Sequence, residues 1–210
     1  MKHVSLCGFL PEELTEQLDI SPRFRGKQLF QWIHQKGQHD FEAMSNLPAA
    51  LREQLTRDYT QALSSQIDAI NEDDDGTVKI TIQLHDGAVV EAVLLEDENG
   101  RKTACLSSQV GCALGCTFCR TATMGFVRNL SAGEIVEQLL HLKTKYGTIA
   151  NVVFMGMGEP LLNFDEVSTA IRVLHHPEGH NIGMRKITIS TSGIVPGIHR
   201  LAEEGPYVRL

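Results

Sequence analysis

From about Thr103 the chain alternates short apolar runs with amphipathic helical periods, and this limits the fold more than any other feature. Asn151-Val152-Val153-Phe154-Met155 and Lys186-Ile187-Thr188-Ile189-Ser190 read as strands. Ahead of the first, Ser131-Ala132-Gly133-Glu134 has capping-box spacing. Ile135, Leu139 and Leu142 then fall on one helical face. Lys143 and Lys145 suit the last turn of that helix and Gly147 its end. Residues 164–175 form a second helix, with Val167, Ile171 and Leu174 on one face, and residues 196–203 a third. Strand–helix repeats of this kind predict a parallel sheet with crossover helices. Tyr207-Val208-Arg209-Leu210 begins another strand pattern. It predicts either an edge strand or the first part of a longer barrel.

The first hundred residues have a different texture. Pro11-Glu12-Glu13-Leu14 opens a helix, Ser21-Pro22-Arg23-Phe24 a second that Gly37 ends, and Leu47-Pro48 a third running to about Leu63. Asn71-Glu72-Asp73-Asp74-Asp75-Gly76 is an acidic turn and linker. Residues 77–84 alternate with period two, His85-Asp86-Gly87 turns the chain, and residues 88–95 return it as a β-hairpin. The expected organisation is a helical accessory domain (1–65), a hairpin extension (66–102) and an α/β unit (103–210).

The formal net charge is −7, which argues against nucleic-acid binding by bulk charge alone. Between residues 21 and 36, however, Arg23, Arg25, Lys27 and Lys36 occur with no carboxylate, which is either a solvated helix face or a local phosphate-binding patch. No apolar run approaches the ~20 residues of a membrane span. The N-terminus lacks the apolar core of a signal peptide, so the expected location is the cytoplasm, away from membranes.

Four of the five cysteines, Cys105, Cys112, Cys116 and Cys119, lie within fifteen residues. Such crowding favours a metal or cluster site over a disulfide framework. Cys112-Ala113-Leu114-Gly115-Cys116-Thr117-Phe118-Cys119 is C-x-x-x-C-x-x-C, a spacing that can hold three corners of a [4Fe-4S] cubane and would leave one iron for an outside chelator such as S-adenosyl-L-methionine. Gly111 and Gly115 would let the backbone turn tightly, and Phe118 would shield the cluster from water. A four-cysteine zinc site that includes Cys105, in a non-enzymatic or RNA-binding protein, is the alternative. Met155-Gly156-Met157-Gly158-Glu159-Pro160 follows the next strand. There Gly158 would allow close approach to a ligand and Glu159 would accept from an ammonium group. Ser190-Thr191-Ser192-Gly193 offers hydroxyls at the same mouth, for a ribose or carboxylate or else for capping the following helix.

Together with Phe24-Arg25-Gly26-Lys27-Gln28, Cys105-Leu106-Ser107-Ser108-Gln109-Val110-Gly111-Cys112, Gly125-Phe126-Val127-Arg128-Asn129-Leu130 and Gly158-Glu159-Pro160-Leu161-Leu162-Asn163, these stretches resemble the radical S-adenosylmethionine superfamily. More closely, they resemble its RNA adenine-C2 methyltransferases of the RlmN/Cfr type. The Ala113-Leu114 filling and Val110 look more like the C2 than the C8 branch, which stays an alternative, as does another substrate. The resemblance implies an α/β fold: a partial (β/α)6 radical-SAM barrel, about half present, preceded by a small helical accessory domain and a β-hairpin.

The resemblance also implies roles. Cys112, Cys116 and Cys119 would ligate the cluster, and Gly158, Glu159 and Ser190 would contact S-adenosyl-L-methionine. Glu91 would accept a proton, although from the residues alone it is an ordinary hairpin carboxylate. Cys105 would form a transient disulfide during turnover. The family needs a further, methyl-carrying cysteine, and none follows Cys119 here, so the chain looks like the N-terminal part of such an enzyme. Implied partners are 23S rRNA, tRNA and an electron donor such as flavodoxin or ferredoxin.

Overall fold

The computed structural model describes residues 4–59 and 61–210; residues 1–3, which belong to the N-terminus read above for a signal peptide, and Thr60 lie outside the described residues. Helix α1 (Pro11–Gln17) starts with proline at its first position, and the Glu13 carboxylate accepts the Leu10 N–H at 2.7 Å. Helix α2 (Phe24–Phe30) continues into a π-helical turn, Gln31–Gln35. Gly37, at φ 64°, turns the chain away. Helix α3 (Ala49–Asp58) is shorter than its apolar spacing predicts. Tyr59 is extended, the Ala62 N–H donates to His39 O (3.1 Å), and Leu6 N–H donates to Ala62 O (3.2 Å). Long-range pairing takes over backbone groups that another helical turn would have used.

The expected hairpin is the middle of a four-stranded meander. Strands β1 (Gln66–Glu72), β2 (Val78–Gln83), β3 (Val89–Glu96) and β4 (Lys102–Cys105) pair antiparallel in sequence order. The acidic stretch read as a linker therefore splits: Asn71 and Glu72 finish β1, and only the residues after them turn. Strand β1 escaped the sequence reading because it is an edge strand with no buried alternate set to leave a period-two signature.

Beyond β4 come β5 (Gln109–Gly111), β6 (Phe126–Asn129), α4 (Ala132–Tyr146), β7 (Asn151–Phe154), α5 (Phe164–His175), β8 (Ile187–Ile189) and α6 (Val195–Glu204). The main sheet runs β1-β2-β3-β4-β7-β8, and β4, β7 and β8 are parallel to one another. Arg209 extends this parallel set: Ile189 N–H donates to Arg209 O (2.8 Å) and Arg209 N–H to Ile187 O (3.0 Å). Ser131 and Glu134 form the expected capping box of α4.

Alternation along the strands sorts the two faces. Ile80, Ile82, Val90, Ala92, Leu94, Ala104, Val152, Phe154, Ile187 and Ile189 are buried in one core with Ile135, Val136, Leu139 and Leu142 of α4 and Val167, Ile171 and Leu174 of α5. The opposite face carries Lys79, Thr81, Glu91, Val93, Cys105, Val153 and Thr188, and it is only partly buried. Buried polar groups tie the first sixty-five residues to α4. The Glu137 carboxylate accepts Ser64 N–H (2.7 Å), Ser64 Oγ–H (3.1 Å) and the Ser65 hydroxyl. Nearby, His34 Nδ1 lies 3.1 Å from His180 Nε2, and Lys143 Nζ donates to His34 O at 3.2 Å. No helix among the described residues is long and apolar enough to cross a membrane.

Candidate cluster and cofactor site

The segments that carry chemistry leave the sheet at one end, after β4, β7 and β8. Strand β4 ends at Cys105, and residues 106–109 cross beneath the turn that follows β7. Leu106 N–H donates to Val153 O (2.9 Å), Gly156 N–H to Leu106 O (3.1 Å), and Ser108 N–H to Met157 O (2.8 Å). The crossing is tight. A Cβ on Gly156 would stand 2.6 Å from Ser107 Oγ. Gly158 has φ +96°, and a Cβ there would stand 2.5 Å from Gln109 Cβ. The close approach expected at Gly158 is thus to Gln109, and it places the next residue, Glu159.

Four buried polar side chains, none singled out by sequence reasoning, hold this crossing. Gln138 of α4 pairs with the Ser107 backbone as a strand would: Ser107 N–H donates to its Oε1 (2.8 Å) and its Nε2 donates to Ser107 O (2.9 Å). Ser107 Oγ donates to Glu91 O (2.6 Å) and accepts Met157 N–H (2.8 Å). Asn163 Nδ2 donates to Ser108 O and Leu130 O, both at 2.8 Å. Gln109 is bonded on both sides of its amide. The only signal available was polarity inside otherwise apolar periods.

The cysteine loop does not run straight into a helix. Strands β5 and β6 bracket it, pairing Gln109 with Asn129, Val110 with Arg128 and Gly111 with Phe126. Cys112 N–H donates to Gly125 O at 2.9 Å. Glycine is required at 111: φ is +73°, and a Cβ would stand 1.8 Å from Gly125 O. At Gly115 a Cβ would meet open space, so the fold itself demands no glycine there. Phe118 is 92% exposed, and Met124 of the same loop and Val127 of β6 are also exposed. The base of β6 is fixed by Arg128, whose Nη1 and Nη2 donate to the buried Glu134 carboxylate at 2.9 and 2.8 Å while Nε donates to Asp86 at 2.7 Å.

All five cysteines are free thiols. The N–H groups of Ala122 and then Thr121 hold the Cys119 thiol below its usual range, which favours the thiolate a metal needs. Burial pushes the Cys105 thiol up. A single zinc ion needs its sulfurs converged at about 2.3 Å from one point. Among the described residues no three His, Cys, Asp or Glu are so grouped. A cubane takes one sulfur at each of three separate irons, and Cys112, Cys116 and Cys119 are partly buried free thiols on one loop.

The Glu159 carboxylate accepts Leu161 N–H (3.0 Å), Ser192 N–H (2.8 Å) and Ser192 Oγ–H (3.0 Å), joining the turn after β7 to the one after β8. Ser190 is exposed at the end of β8, and Thr191 Oγ1 accepts Gly193 N–H at 3.2 Å. Thr191 Oγ1 also lies 3.5 Å from the N–H of Ile194, the N-cap of α6, so this hydroxyl serves the entry to that helix, whereas Ser192 serves Glu159. Glu91 and Cys105 share the partly buried sheet face. Val93 pairs with Cys105, Glu91 lies two residues along β3 on the same side, and Lys79 Nζ is 3.1 Å from the Glu91 carboxylate.

Residues 106–210 match the Radical SAM superfamily. The chain belongs to that superfamily. Its three parallel strands and their crossover helices are the corresponding part of a radical-SAM fold, and the family implies a [4Fe-4S] cluster and S-adenosyl-L-methionine. Residues 6–60 match the ribosomal RNA large subunit methyltransferase N-terminal domain. A probable dual-specificity RNA methyltransferase RlmN from Treponema pallidum (strain Nichols) is 51% identical over 206 residues, covering 98% of this chain and 60% of that protein. A dual-specificity RNA methyltransferase RlmN from Nautilia profundicola is 45% identical over 218 residues, covering 96% and 60%. The solved structure of a radical SAM methyltransferase from Sphaerobacter thermophilus is 40% identical with a TM-score of 0.91, covering 98% of this chain and 62% of that one. The chain thus spans about 60% of the length of the curated relatives it matches.

Proposed function

We propose that the chain is the cluster-binding part of an RNA methyltransferase of the RlmN type, which methylates C2 of adenine in 23S rRNA and tRNA in the cytoplasm. What supports this reading is that Glu91 and Cys105 share one sheet face and that the strand leading into the three-cysteine loop is bonded to the Glu159 turn, in a chain similar to such enzymes along nearly its whole length. Carbon 2 of adenine lies between two ring nitrogens and is a poor nucleophile. When bound, the cluster and S-adenosyl-L-methionine supply the one-electron chemistry that makes its methylation feasible, with flavodoxin or ferredoxin as electron donor.

The protein's own residues have the following parts. Cys112, Cys116 and Cys119 hold the cluster, and Gly158, Glu159 and Ser190 hold S-adenosyl-L-methionine. Glu91, on the half-buried sheet face, accepts the C2 proton. Cys105 bonds to the sulfur of a methyl-carrying cysteine outside these 210 residues as that sulfur lets go of the product carbon. The target adenine must leave its stack to reach this face.

RNA contact falls to the helical region, but its basic residues are not equally free. Lys27 pairs with Glu178 at 2.8 Å, Arg25 Nη1 donates to Asn46 O (2.7 Å), and Lys36 sits 3.5 Å over the Trp32 ring. Arg23 is exposed beside them.

The test is nucleoside mass spectrometry of RNA lacking the modification, after anaerobic incubation with the full-length protein. We expect 2-methyladenosine from the wild type. We expect none from Cys112→Ala, and none from Glu91→Gln or Cys105→Ala although both keep their iron. Methyl product from Cys112→Ala, methylation at C8, or stoichiometric zinc without iron would overturn the reading.

A further inference from the structure

We propose that Gln109 is a positioning residue that sets the spacing between the cysteine loop and the S-adenosyl-L-methionine turn; this rests on the functional reading above. Gln109 is 1% exposed and is the first residue of β5, the strand that leads into the loop. Its Oε1 accepts the Glu159 N–H at 2.9 Å. Its Nε2 donates at 2.8 Å to Oδ1 of Asn129, on the strand that leads out of the loop. One amide therefore touches both limbs of the loop and the turn that carries Glu159.

The turn is shaped around this side chain. A Cβ at Gly158 would stand 2.5 Å from Gln109 Cβ and 2.6 Å from its Cγ, so only glycine lets the turn lie down on Gln109. The other end of Glu159 is already fixed, because its carboxylate is held by Ser192 and Leu161. The backbone of residue 159 itself is tied to the loop by the Gln109 amide, beside the Ser108 and Gln109 N–H bonds to Met157 O and a 3.5 Å contact from Asn129 Nδ2 to Leu162 O. Its chemistry is specific. A side chain of this length must accept from one neighbour and donate to the other, which leucine cannot do at all and an ionised glutamate, an acceptor only, can do at just one end. A ligand gripped at one end by the loop and at the other by the turn loses affinity steeply when their separation drifts by about 1 Å.

The experiment compares wild-type, Gln109→Leu and Asn129→Ala full-length protein, reconstituted anaerobically. Gln109→Leu should keep a wild-type iron content, because the three cysteines and the β5–β6 backbone pairing are untouched. It should bind S-adenosyl-L-methionine roughly tenfold more weakly, the factor that goes with one well-made buried hydrogen bond. The change that S-adenosyl-L-methionine induces in the electron paramagnetic resonance spectrum of the reduced cluster should shrink with it. In the metal-free protein, the Glu159 amide should exchange with deuterium roughly tenfold faster. Asn129→Ala, at an exposed position, should move both quantities the same way by about threefold. Binding within twofold of wild type, with an unchanged spectral response and unchanged Glu159 exchange, would refute the role of Gln109. If Gln109→Leu does not fold, Asn129→Ala decides: no change in affinity or exchange refutes the proposal. Wild-type protein that takes up iron but no S-adenosyl-L-methionine would overturn the underlying reading instead, and the exchange measurement would still judge the link itself.

Discussion

Replacing Arg128 by methionine tests how the cysteine loop is anchored. Arg128 makes two parallel bonds to Glu134 and one to Asp86, so a single guanidinium joins β6 to α4 and to the β2–β3 turn. Glu134 is 4% exposed. Breaking a buried pair by removing one partner costs about 3–5 kcal/mol, because a desolvated charge is left behind. Glu134 keeps some support from Ser131 N–H (2.9 Å) and Ser131 Oγ–H (3.3 Å), which reduces the cost to about 2 kcal/mol. The Asp86 arm is 36% exposed, and solvent screening limits it to about 0.5 kcal/mol. The sum, about 2.5 kcal/mol, should lower the melting temperature by roughly 5–10 °C for a chain of this size. The hydrogen bond from Arg128 holds the Asp86 carboxyl down at about 2, so its contribution is complete above the ordinary carboxylate value and is lost as pH falls toward about 2. Urea denaturation of Arg128→Met, Glu134→Gln and the double variant gives the coupling directly. A loss below about 1 kcal/mol, or additive single effects, would refute the argument.

Gly111→Ala should abolish cluster uptake while leaving helix content unchanged, since the added methyl meets Gly125 O and φ is +73°; iron analysis beside circular dichroism checks it. Burial, then the charge of Lys143, lowers His34 to about 3, and burial lowers His39 and His141 to about 4. Their folded-state values lie below the unfolded one, so their stabilisation is complete above about pH 6.5 and drains away as pH falls toward about 4 for His39 and His141 and about 3 for His34. Stability should drop by up to about 1.4 kcal/mol per pH unit for each group, and His34→Phe should flatten that acid limb in urea titrations. Arg23→Ala should reduce the salt dependence of RNA binding by the full-length protein more than Lys27→Ala, because Lys27 already has Glu178 as a partner; equal slopes would count against the assignment.

Much of the architecture was legible because its signals are local. The α4 capping box, the apolar faces of α4 and α5 and the apolar runs of β7 and β8 follow from period and capping alone. Edge strand β1, the early end of α3 and the small β5–β6 sheet did not, because each is decided by a partner remote in sequence or by exposure rather than by its own pattern. Among the site residues, the cysteine spacing spoke for itself, whereas Glu91 was indistinguishable from any hairpin carboxylate until β3–β4 pairing put it on the face of Cys105.

Residue types and their spacing by themselves determined that this chain builds crossover units and carries three thiols suited to a cubane, since both are properties of short segments. Only the tertiary structure decided how those segments meet. Gln109, Ser107, Gln138, Asn163 and Arg128 are ordinary polar residues in the sequence and become buried connectors because folding removes water from them and leaves each other as partners.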